Sequence, residues 1–276
     1  MRMSTWVYDA ILYIYALSLL FSFSDVVNRN RNAKRLGTGL LVFVWALQTA
    51  VIVYRVAGQR YIPVANIFEA LFFYSWMIVT VSIMMHIALR LDLFLFLVNV
   101  AGFAILALNA FGNPTVAPIS SRWSAEDELL FIHITFAIGS YVAFLIAALL
   151  SGMYLFLHRR LKERSWSAVL TRFPSLEKIE TYTFRSVMVG VPLLILSVAL
   201  GIVKVVLEED IRLLADPKVL GSLVIAGAYI FYAVRRASGK HARETLARWN
   251  LAAFSLVMVN FVLSNDYSGF HQWMWM

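Results

Sequence analysis

Five histidines, His86, His133, His158, His241 and His271, are the side chains of this sequence best placed to do chemistry. His133 stands in the run ELLFIHITFAIGSY, and His271 stands in the terminal stretch SNDYSGFHQWMWM among Tyr267, Phe270, Trp273 and Trp275. Imidazole is a proton carrier near neutral pH and, when neutral, a common metal ligand. The chain has no cysteine. Thiolate ligands, disulfides and thioether attachment of a cofactor are therefore excluded, and any cofactor must be held noncovalently.

The elements that must position these imidazoles are membrane helices. Of the 276 residues, 61% are hydrophobic and 14% charged, against about 45–50% and 25% in soluble domains; mean hydropathy is +0.75. Apolar runs of about 18–25 residues can cross a hydrocarbon core as helices. Eight such runs lie near Trp6 to Val27, Gly37 to Val56, Val64 to Ile87, Leu93 to Phe111, Glu128 to Leu157, Phe184 to Val206, Val219 to Val234 and Leu251 to Ser264. They do not alternate in polarity as barrel strands do. The expected fold class is therefore all-α: a polytopic bundle of eight transmembrane helices in a single domain, 1–276. The first run carries Asp9 and lacks a small-residue cleavage site, so a retained helix is expected rather than a signal peptide.

Charge gives the orientation. Most of the 24 Lys and Arg fall in the first, fifth and seventh connections, around Arg29 to Arg35, Arg159 to Lys178 and Arg235 to Arg248. These odd connections share a side, which the positive-inside bias makes cytoplasmic. Both termini are then expected outside, with the acidic patches Glu126 to Glu128 and Glu208 to Asp210. Basic residues in juxtamembrane clusters, rather than along a stripe, give no support to a nucleic-acid partner. Within the fifth connection, Trp166, Val169, Leu170 and Phe173 recur at helical spacing, as in a helix lying in the inner interface.

This topology sorts the histidines. His86, His158 and His241 belong to the inner side, where a solvated imidazole needs no special explanation. His133 falls roughly 7–8 Å inside the outer end of the fifth helix, and His271 lies on the same outer side. Two imidazoles there suit the axial positions of a haem, whose apolar macrocycle wants aromatic walls. Zinc would normally take three or four close ligands. On spacing alone the plainer reading also stands: a hydrogen-bonded helix-end histidine and an interfacial aromatic belt. Other outer-side ionisable groups are Asp9, Arg55 and Glu69, costly at membrane depth unless paired or wet. Arg55 and Glu69 are expected either to pair or to stand near a cofactor, and Arg55, Arg60 or Lys218 suit haem propionates. Asn66, Asn99, Asn109 and Asn260 are expected to join interhelical hydrogen bonds.

The segments LLFIHITFAIGSYVAFLIAALLSGMYLF, LEKIETYTFRSVMVGVPLLILSVALGIV, DIRLLADPKVLGSLVIAGAYIFYAVRR and FHQW, in that order, resemble the cytochrome c assembly proteins of the CcsA and CcmC type. ANIFEALFFYSW resembles the Glu-containing segment of that family's third helix. The resemblance implies a polytopic haem-handling protein with His133 and His271 as external axial ligands of noncovalent haem b. Glu69 in the matching segment and the retained Asp216 and Lys218, with Arg55 and Trp273 from the outer-side reading, are the further residues expected around that site. The sequence departs from the family at two places. In LLADPKV, Leu213 and Ala215 stand where the external segment has tryptophans, although Asp216, Pro217 and Lys218 remain. Val234 stands where the family has an embedded histidine. With the length and the eight runs, these departures resemble the HemX branch, which implies a noncatalytic protein of the bacterial plasma membrane that restrains glutamyl-tRNA reductase. The alternatives are a haem transporter or a haem lyase-like assembly factor.

Overall fold

The computed structural model of the protein describes residues 5–58, 67–89, 92–110, 125–164, 170, 173–207 and 215–267. Among the described residues there are eight α-helices and no strand: α1 (Thr5–Asn28), α2 (Arg31–Val53), α3 (Ile67–Leu89), α4 (Asp92–Ala110), α5 (Ala125–Lys162), α6 (Leu176–Leu207), α7 (Pro217–Ala237) and α8 (Arg243–Tyr267). A π-helical turn, Tyr54–Gly58, continues α2. Seven of the helices are long and apolar enough to cross a membrane. The expected fourth crossing, α4, is 19 residues long, about 28 Å of helix against a core of roughly 30 Å, with a described apolar stretch from Leu93 to Leu108.

The chain divides near Trp123 into two compact units. In the first, α1 packs on α2, α2 on α3 and α3 on α4, and α1 with α4 closes the ring. The α1–α2 connection is so short that Arg29 takes a left-handed conformation (φ 53°) to reverse the chain. Because lipid tails give helices no hydrophobic reason to associate, polar side chains and small residues hold such a bundle. The Tyr15 hydroxyl donates to Asn99 at 3.0 Å, and the Asn99 amide donates to Ser82 at 2.5 Å, joining α1, α4 and α3. Trp45 donates to Thr80 at 3.0 Å and Trp76 to Thr49 at 2.9 Å, tying α2 to α3. Asn99 thus makes the interhelical bonds its placement predicted, whereas the side chains of Asn66 and Asn109 lie outside the described residues.

The second unit repeats the plan. Helices α5, α6, α7 and α8 pack in sequence order, and α8 returns to α5. Its core centres on Phe144 and Tyr229, stacked 3.8 Å apart. At the basic end, Arg236 donates to both carboxylate oxygens of Glu180, at 2.7 and 3.2 Å, and its guanidinium lies 4.6 Å from the Phe184 ring. This fork fastens α7 to α6. Val189 and Leu196 of α6, Val224 and Val234 of α7 and Val262 of α8 are exposed, as apolar side chains of helices that meet lipid are. The expected interfacial helix of the fifth connection falls mostly outside the described residues; Leu170 is buried and Phe173 stacks on Phe156 of α5.

Candidate functional site

His133 lies in α5, where its Nδ1 stands 2.6 Å from the backbone carbonyl oxygen of Ser197 in α6. A carbonyl only accepts, so Nδ1 carries the proton and the ring lone pair belongs to Nε2, the atom a metal would use. The Ser197 hydroxyl returns the contact by donating to the His133 carbonyl at 3.0 Å. A helix carbonyl is normally screened by the side chain one turn later. Here that residue is Gly201, and a Cβ placed on it would stand 3.0 Å from His133 Cε1. The absence of that methyl group lets the imidazole reach the carbonyl. A carbonyl-bound Nδ1–H is the arrangement that orients metal-ligating histidines.

The imidazole borders a cleft of about 50 Å³, shared with Tyr141, Ser197, Gly201, Lys218 and Ser222. The cleft has room for a few waters and is too small for a porphyrin. The donor chemistry fits a metal-ligating nitrogen at His133, and the cleft itself would not enclose a macrocycle. Lys218 is brought here by the start of α7. Asp216, buried at 7% exposure, caps that helix by accepting from the Lys218 N–H at 2.8 Å, and Pro217 occupies its first position. The Asp-Pro-Lys run is thus a helix start that delivers a lysine beside a histidine. Asn260 of α8 donates to Ser222 at 3.5 Å, extending the polar lining.

Arg55 and Glu69 form a separate cluster within the first unit. Both are buried, and the Arg55 guanidinium donates to the Glu69 carboxylate and to the Tyr8 hydroxyl. Phe68 and Phe72 meet Tyr8 edge-on at 5.0 and 5.3 Å. Arg55 reaches this position from the π-helical turn, a local widening of the helix common at functional sites. Asp9 is exposed on α1. His271 and Trp273 lie outside the described residues. Sequence reasoning did not single out Tyr8, Ser197 or Gly201. The Ser197 and Gly201 pair, four apart in an apolar helix, is the small-residue spacing that signals close helix approach.

Seven helices of crossing length and two four-helix units define a polytopic α-helical membrane protein. The family described as Cytochrome C assembly protein matches residues 64–271. Protein HemX of Brevibacillus brevis is 43% identical over 271 residues, spanning 97% of this chain and 98% of that one. Protein HemX of Bacillus subtilis (strain 168) is 36% identical over 263 residues, 95% of each. Cytochrome c biogenesis protein CcsA of Guillardia theta is 23% identical over 215 residues, 70% of this chain and 67% of that one. No solved structure matches. The chain belongs to the cytochrome c assembly protein family, in its HemX-like branch, and is a multi-pass bacterial membrane protein.

Proposed function

We propose that the protein is a noncatalytic haem-binding membrane protein that senses, stores or relays haem and so adjusts haem biosynthesis through the level of glutamyl-tRNA reductase. The observation that carries this reading is the His133 imidazole, whose Nδ1–H is held by the Ser197 carbonyl, so that in the neutral ring the lone pair is on Nε2. In this reading His271 supplies the second axial nitrogen, Trp273 contributes an aromatic wall and Lys218 meets a propionate. Asp216 acts indirectly, by placing Lys218, and Glu69 holds Arg55 on the same outer side. Eight crossings with both termini outside, in one functional domain, belong to the same proposal. When bound, haem b would contribute an iron saturated by two imidazoles, a state suited to retention.

The test is the absorption spectrum of the detergent-purified protein with added haem. A low-spin spectrum, lost in His133→Ala and in His271→Ala, is expected. An unchanged spectrum in either folded variant would overturn the ligand assignment. Deletion in the host should raise the glutamyl-tRNA reductase level. A second reading, haem delivery or lyase-like service to c-type cytochromes, draws on the family match and the CcsA relative. It requires deletion to abolish those cytochromes.

A further inference from the structure

Among the described residues of the first unit, an open space lies at the basic end of the helices. A cleft of about 180 Å³ runs between α1, α2, α3 and α4, with a polar floor that includes Ser18, Ser82 and Asn99 and apolar walls from Leu41, Val42 and Ile83. Through Lys34, Thr38, Val42 and His86, which border both, it opens into a wider depression of about 630 Å³ rimmed by Arg31 and Arg35. The floor is internally satisfied: Ser18 donates to the Gly37 carbonyl at 2.8 Å, and Asn99 is bonded to Ser82 and Tyr15. The rim is not. Arg31 and Arg35 are exposed and have no ion-pair partner among the described residues. Asp25 on the cleft wall already has other interactions.

The charge is also misplaced for the helix that carries it. The first turn of α2 contains no acidic residue, although the amino end of a helix is the positive end of its dipole. Asn30 caps that end by accepting from the Asn32 and Ala33 N–H groups at 3.0 and 3.2 Å, but it brings no negative charge. Cations gathered there gain nothing from the helix, and an anion between them would offset both their charge and the dipole. Two features together select the chemistry of that anion. The cationic rim calls for a phosphate or carboxylate, and the apolar walls leading inward from it call for a hydrocarbon chain. A small ion would use the rim alone.

We propose that this cleft is a binding site for an anionic phospholipid, its phosphodiester head between Arg31 and Arg35 and an acyl chain against Leu41, Val42 and Ile83. The site lies wholly within the first unit and is independent of the His133 cleft. Gly39 provides a direct test, because it borders the depression and a Cβ built on it meets nothing within 4 Å. Leucine there adds bulk at the edge of the depression beside Arg35, and exchanging glycine for leucine in a helix interior favours the helix. Loss of lipid without loss of fold is therefore attainable.

Native mass spectrometry of the delipidated full chain in detergent, titrated with dioleoylphosphatidylglycerol or dioleoylphosphatidylcholine, reads the site. The phosphatidylglycerol is expected to bind at least about tenfold more tightly, because each cation near an anionic headgroup adds a several-fold preference. The double variant Arg31→Gln/Arg35→Gln should lose about tenfold in that affinity, and Gly39→Leu should lose as much with no lower melting temperature. Arg159→Gln/Arg160→Gln, in the basic last turn of α5, should change it less than about twofold, which distinguishes the cleft from general surface charge. Equal binding of the two lipids, or unaltered affinity in both cleft variants, would overturn the proposal. So would displacement of the lipid by equimolar inorganic phosphate, which would assign the rim to a small anion.

Discussion

Removing one member of the Arg55–Glu69 pair should unfold more of the protein than removing both. Glu69 is 2% exposed and Arg55 8%, so Arg55→Met takes the cation from a buried carboxylate and Glu69→Leu takes the anion from a buried guanidinium. Breaking a buried pair in this way costs about 3–5 kcal/mol, whereas exchanging the whole pair for apolar residues of similar volume is often close to neutral. Arg55→Met, alone or in the double variant, also removes the guanidinium that donates to the Tyr8 hydroxyl, a hydrogen bond worth about 0.5–1.5 kcal/mol. The expected order is therefore two strongly destabilised single variants and a double variant, Arg55→Met/Glu69→Leu, within about 2 kcal/mol of the parent.

Denaturant-induced unfolding in mixed micelles, followed by circular dichroism and extrapolated linearly, measures each corner of this cycle. The coupling energy is the difference between the double variant and the sum of the singles. A double variant that costs the sum would refute the reasoning, because the two charges would then be solvated independently. Single variants that each cost less than about 1 kcal/mol would refute it as well, by showing the cluster to be wet. Adding haem to the folded double variant gives a second reading. Retained uptake assigns the pair to helix packing, and lost uptake assigns it to the haem site.

Three further expectations concern the second unit. His133→Ala should abolish low-spin haem absorbance while leaving the helical circular dichroism signal intact. Asp216→Ala should remove the cap of α7 at about 0.5–2 kcal/mol and weaken haem retention less than either histidine change; an equal loss would make the carboxylate a direct haem contact. Gly201→Val should displace the imidazole from the Ser197 carbonyl and lower haem affinity about 10–100-fold, measured by titration, with Gly201→Ala intermediate; an unchanged affinity would show that the carbonyl contact does not orient the ligand.

The helices were legible because hydropathy senses the hydrocarbon core, and their ends were not, for the same reason. The spans expected from Glu128, Phe184 and Leu251 belong to helices that begin at Ala125, Leu176 and Arg243. The added turns of α6 and α8 carry Glu180, Glu244 and Arg248, which lower the hydropathy of a window but keep the backbone helical through fixed pairs. Arg248 donates to Glu244 at 2.5 Å across one turn, and Glu180 is held by Arg236. Where a helix passes into the headgroup region, polarity ceases to mark its boundary. The division into two four-helix units had no such signal, since no glycine- or serine-rich linker separates them in the sequence.

The candidate site divides in the same manner. Its ionisable members could be named from the sequence because charge at membrane depth is conspicuous. The groups that orient them were silent: a backbone carbonyl at Ser197, a missing side chain at Gly201, a tyrosine among many and a π-helical turn. None has a composition that differs from ordinary helix packing. What they share is an interruption of a regular helix surface. A helix presents its own backbone groups inward, so a neighbouring imidazole can reach a carbonyl only where the covering side chain is absent, as at Gly201. Likewise, Arg55 enters the bundle from within a π-helical turn at the end of α2 rather than from regular helix. In a protein that must satisfy its backbone within each helix, the places able to orient chemistry are the places where that regularity breaks, and a reading by residue type alone passes over them.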